Sequence, residues 1–176
     1  MKERGKCMGE KICCFTGHRY IRPDHMERLY SLLDETIETL YREEGVRVFR
    51  AGGAIGFDTV AALRVLYQKS RGLDITLELW LPCKNQTEKW PRAAILDYEF
   101  ILRRADVVRY TAEQYHRFCM LDRDRALVDG SQFCISYLLE NRGGTAYTVS
   151  YALKKGLSLI NLGEEFLKKD SNSDDN

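Results

Sequence analysis

Histidine and proline are sparse in this chain, three of each in 176 residues, and no apolar run approaches the length of a membrane span. The histidines (His18, His25, His116) are spread out and no HExxH pattern occurs. None of the six cysteines (Cys7, Cys13, Cys14, Cys83, Cys119, Cys134) stands two residues from another, as metal and dithiol motifs require. No metal site or cofactor is expected, therefore, and the cysteines read as reduced, mostly buried thiols. No serine stands in GxSxG, so the nucleophile elbow of hydrolases is missing as well. A basic excess is also absent: 27 lysines and arginines face 26 acids, for a net charge of +1. Without a broad positive field to hold phosphates, nucleic acid is not expected as a partner. The polar start "MKERGKCMGE" runs into no uninterrupted apolar stretch of the kind a secretion signal has, so a cytoplasmic location without membrane contact is expected.

What the chain does have is alternation. Short runs rich in β-branched and aromatic residues ("ICCFT", "VRVF", "ITLELWL", "DVVRY", "FCISYLL", "LSLINL") are separated by longer stretches at helical spacing. That pattern predicts an α/β fold, a Rossmann-like three-layer sandwich with a mostly parallel sheet of about six strands. Length and a 44% hydrophobic composition fit one domain, placed at residues 11–167 between a flexible start (1–10) and a disordered polar tail (168–176). Asp24 is the expected cap of a first helix whose apolar positions Met26, Leu29, Leu33, Ile37 and Leu40 recur every three or four residues, with Gly45 ending it.

In a parallel sheet the loops after the strands share one edge, and ligands bind there. This chain gathers its unusual residues on that edge: Gly17, His18 and Arg19 after the first strand, Gly52, Gly53 and Gly56 after the second, and Gly143, Gly144 and Thr145 after the fifth. Each glycine loop follows a strand and opens a helix, so backbone N–H groups and the positive helix end would suit phosphate. Asp58, at the second helix start, would repel phosphate if it pointed inward. It fits as a cap on the next N–H groups, the preferred reading, or as an acceptor for a ribose hydroxyl. Arg123 and Arg125 in "MLDRDRALVD" read first as a solvated helix face with Asp122 and Asp124 beside them, and Trp90 reads as core or as a stacking partner for a base.

The segments "FTGHR", "AGGAIGFD", "LP" with Gln86 and Trp90, "MLDRDRALVD" and "RGGTAYTVSYALKKGLSLINL", in this order, resemble the YpsA-like branch of the SLOG superfamily, named for the SMF/DprA and LOG proteins. The resemblance covers about Ile12 to Leu162. It implies a Rossmann-like domain that binds a nucleotide-like small molecule through its glycine loops, with Arg123 in the setting of the LOG catalytic arginine. LOG proteins release a base from a nucleoside monophosphate with the help of a glutamate in PGGxGTxxE. Here the corresponding stretch is "RGGTAYTVSY", without that acid, and only Asp58 or Asp129 would be left to replace it. The resemblance thus points to a nucleotide sensor or carrier. A LOG-type N-glycosidase is the enzymatic alternative, and a DprA-type single-stranded nucleic-acid or protein-interaction module is the third. By the same resemblance a homo-oligomer is compatible with the fold.

Overall fold

The computed structural model describes residues 9–173. Six strands, β1 (Lys11–Gly17), β2 (Val46–Ala51), β3 (Thr76–Leu81), β4 (Val107–Tyr110), β5 (Phe133–Tyr137) and β6 (Ser158–Asn161), form one sheet in the order β4-β3-β2-β1-β5-β6. All five pairings are parallel, so the α/β Rossmann-like architecture read from the alternation is the observed one. Between the strands run α1 (Met26–Thr39), α2 (Phe57–Ser70), α3 (Arg92–Arg104), α4 (Cys119–Val128) and α5 (Gly143–Lys154), with α6 (Glu164–Ser173) at the end.

The strand order fixes the layers. From β1 the chain steps outward through β2 and β3 to β4, then returns across the sheet to β5 and moves the other way to β6. Right-handed crossovers in opposite directions place α1, α2 and α3 on one face and α4 and α5 on the other. Side-chain alternation along β1 serves both layers. Cys13 and Phe15 enter the larger core with Phe49, Phe57 and Leu79, while Cys14 joins the smaller core of Leu127, Val128, Cys134 and Ala152. The order reverses between β1 and β5, and the crevice beyond their carboxyl ends is where such a sheet takes a ligand.

Helix α1 buries Leu29, Leu33 and Ile37, and its continuation buries Leu40 before Gly45, at φ 74°, stops it. Asp24 does not cap this helix. A 3-10 turn (Pro23–His25) precedes α1, and the Asp24 carboxylate turns back to the Arg22 guanidinium, at 2.8 Å from Nη2. A charged donor two residues away outcompetes the neutral helix N–H groups. At the far end, α6 continues to Ser173, into the tail read as unstructured from 168. Its first turn is anchored by Phe166, which stacks on His25 at 3.9 Å between ring centroids. Residues 1–8 of the start read as flexible, Cys7 among them, and 174–176 of the tail lie outside the described residues; Cys13, Cys14, Cys83, Cys119 and Cys134 are buried free thiols.

Candidate functional site

The loops after β1, β2 and β5 meet at the reversal of strand order and enclose a cavity of about 410 Å³. Its lining includes Gly17, His18 and Arg19 from the β1 loop, Ala54 and Asp58 around the start of α2, and Arg142, Gly143, Gly144 and Thr145 at the start of α5. Helix α4 supplies the remaining wall through Met120, Arg123, Asp124 and Leu127. Those four positions are spaced i, i+3, i+4 and i+7, one face of a helix.

The three glycines of the β2 loop do not line this cavity. Each is there because the protein's own atoms leave no room for a side chain. A Cβ at Gly52 would strike the Arg123 guanidinium, one at Gly53 would strike Leu81, and one at Gly56 would strike the Arg19 backbone. Gly53 and Gly56 also adopt φ of 68° and 89°, which side-chain-bearing residues rarely do. The Gly56 approach lets Phe57 donate its N–H to the His18 carbonyl at 3.1 Å, which seats α2 against the end of β1.

At the β5 loop the reverse holds. Nothing lies within 4 Å of a Cβ placed on Gly143 or Gly144, and both residues are exposed. Helix α5 starts at Gly143, with Arg142 as its extended N-cap and no side-chain cap on the first N–H groups. Gly143, at φ 78°, turns the chain into the helix, and both glycines line the cavity where the first N–H groups of α5 lack intrahelical partners.

His18 was expected to help hold an anion. Instead its Nε2 accepts the Leu139 N–H at 3.0 Å and lies 3.4 Å from the Glu140 N–H, stitching the β1 loop to the β5 loop. Burial holds its pKa below the usual histidine value. The ring is neutral at pH 7 and brings no positive charge. Arg19 and Arg142 supply that charge at the rim, both exposed, with Arg142 paired to Glu140.

Deeper in the wall, Arg123 is only 6% exposed and stands between two carboxylates. Its Nη1 donates to the Gly52 carbonyl and lies 3.5 Å from Asp58 Oδ2, while its Nε is 2.8 Å from Asp124 Oδ1, close but poorly aligned. Asp58 also accepts the Ala54 N–H at 3.3 Å. Asp58 is thus no helix cap: it reaches backward to the loop and across to the arginine. Burial, opposed by the Arg123 charge, pushes the Asp58 pKa up to about 6, and burial raises that of Asp124 as well. The positive charge of Arg123 is therefore already matched within the protein.

Asp129, the other acid considered as a replacement for the LOG glutamate, is not at the site. It accepts from Tyr151 Oη at 3.0 Å and pairs with Lys155 at 2.9 Å. Asp124 was passed over as a local partner on a solvated face; the one-face spacing of Met120, Arg123, Asp124 and Leu127 is the sequence signal that would have found it. Arg125 does lie on the exposed side, donating to Tyr147 Oη at 2.9 Å. Among the described residues no group of three or more histidine, cysteine, aspartate or glutamate side chains is placed to hold a metal, and no helix is long and apolar enough to cross a membrane.

The sequence matches the YpsA family model, described as the YspA SLOG family, over residues 15–159. No curated protein is matched significantly by sequence. Among solved structures, DNA processing protein A from Helicobacter pylori, described for its single-stranded DNA binding mode, superposes with a TM-score of 0.61 at 18% identity, covering 91% of this chain and 73% of that one. DNA processing protein A (DprA) from Streptococcus pneumoniae gives 0.61 at 16% identity, covering 90% of this chain and 61% of that one. These likenesses correct one expectation. A protein of this fold binds single-stranded DNA, so a neutral overall charge is no ground for setting nucleic acid aside. Net charge averages over the whole surface, whereas Arg19, Arg22 and Arg142 line a single cavity beside Gly143, with Glu140 the one acid in that lining.

Proposed function

The chain belongs to the YspA SLOG family, and from that premise we propose that its edge cavity binds a nucleotide or nucleotide-derived ligand, as a sensor or carrier. The observation that carries the reading is the open first turn of α5. Gly143 and Gly144 line the cavity at the helix start, with no side-chain cap and open space where a Cβ would point, and Arg19 and Arg142 stand at the same rim. A phosphate belongs there. The Asp58 and Asp124 carboxylates further along the wall suit ribose hydroxyls, which are donors that an anionic acceptor holds well.

A thermal-shift panel tests this with nucleoside mono- and diphosphates, NAD, ADP-ribose and a single-stranded oligonucleotide. A ligand at a hundred times its Kd stabilises by about 2.7 kcal/mol, which raises the midpoint of a domain of this size by roughly 5 to 10 °C. A shift with nucleotides that Gly144→Ala weakens supports the site. No shift with any small nucleotide, alongside a salt-dependent shift with the oligonucleotide, replaces it with the DprA-type role.

One observation favours a second, enzymatic reading. A carboxylate raised to about 6 beside a buried arginine is a group poised to exchange a proton near neutral pH, and N-glycoside cleavage needs a carboxylate to steady the cationic sugar. Release of free base from a nucleoside monophosphate, abolished by Asp58→Asn, is the expected result for that reading; intact nucleotide after long incubation removes it.

A further inference from the structure

A second cavity, of about 530 Å³, adjoins the first, and Arg19 and Met120 line both. Its walls carry Trp90 and Tyr115, two flat aromatic side chains, with Ile55 of the β2 loop. Trp90 is only half-buried: it packs edge-on against Tyr98, with ring centroids 5.6 Å apart, and leaves its remaining surface to the cavity. Tyr115 is 62% exposed and lines the same cavity. Gln86 also contributes to the wall, but its amide Nε2 is sealed from solvent and turned toward Gly53 and Tyr98, so it faces the protein rather than the cavity.

We propose that this cavity is a nucleobase subsite: the base of the ligand stacks on Trp90 and Tyr115, while the sugar and phosphate lie in the cavity at Gly143. The inference rests on the nucleotide reading above and deepens it. Aromatic faces hold any base, because every base has a π surface. Arg19, shared by the two cavities, bridges the base and phosphate ends.

Isothermal titration with two probes, AMP and ribose 5-phosphate, tests it on the full chain. The expected result is that AMP binds at least tenfold more tightly than ribose 5-phosphate, and that Trp90→Ala removes that advantage while leaving the ribose 5-phosphate affinity unchanged. Because Trp90 also packs on Tyr98, Tyr115→Ala serves as the second variant, at an exposed position, and should remove at least a threefold part of the same advantage. AMP binding that both variants leave intact overturns the subsite and spares the nucleotide reading. AMP and ribose 5-phosphate binding equally well has the same meaning. Binding of neither probe overturns both.

Discussion

The β2 and β5 loops carry the same signature, glycines between a strand and a helix, and the structure uses them in opposite ways. Around Gly52, Gly53 and Gly56 the space is taken by Arg123, Leu81 and the Arg19 backbone. Around Gly143 and Gly144 it is empty. In one loop glycine lets the protein approach itself; in the other Gly143 serves a positive φ of 78° while the space around both glycines stays open. A glycine-rich turn thus has more than one physical cause, and only the surroundings tell which applies.

Substitutions can break or sharpen that contrast. Gly56→Val combines a φ of 89° with overlap on the Arg19 backbone and should cost about 4 kcal/mol or more, a large part of the stability of an ordinary domain; urea denaturation would read it. The same logic makes Gly53→Val a folding variant rather than a probe of the ligand. Arg123→Ala removes the cation from between two buried carboxylates and should cost about 3 kcal/mol by the same measurement, so any loss of ligand in this variant is to be read only on protein shown to be folded.

Next in size is a pH effect. Asp58 has its folded pKa raised to about 6, so between about 4 and 6 the folded state binds the extra proton and stability from this group falls as pH rises. Asp58→Asn should remove that slope, worth roughly 2 to 3 kcal/mol across the window. His18 acts with the opposite sign, since its depressed pKa makes its contribution fall as pH drops below 6.5. A stability profile of wild type against the two variants His18→Ala and Asp58→Asn separates them. The smallest stability effect belongs to Gly144→Ala, which should stay within about 0.5 kcal/mol of wild type or gain slightly as a helix residue, while weakening any phosphate ligand. Equal destabilisation by Gly144→Ala and Gly56→Val would erase the distinction between the loops.

Much of the fold was legible because it is written locally. The periodicity of Leu29, Leu33 and Ile37 gave α1 its buried face, and each β-branched run became a strand within a residue or two of its predicted bounds. Strand order was not legible: strands buried on both faces all look alike in sequence, and nothing in "FCISYLL" says that it lies beside β1. At the site, membership of the edge loops could be read, but the direction of Asp58 could not. Two acceptor roles lay within its reach, and the choice was made by Arg123, which bonds the Gly52 carbonyl from 71 residues away. The contacts of His18 were hidden for the same reason, because its partners Leu139 and Glu140 follow β5, a strand whose place beside β1 no local pattern shows.

Arg123 belongs to α4, on one face of the sheet, yet its contacts with Gly52 and Asp58 lie at the start of α2, on the other. It works as a tie rod through the sandwich at its open end, where no strand separates the two layers. Amide exchange in the first turns of α2 and α4 should accordingly slow or quicken together, and a molecule settling against this arginine would be felt on both sides of the sheet at once.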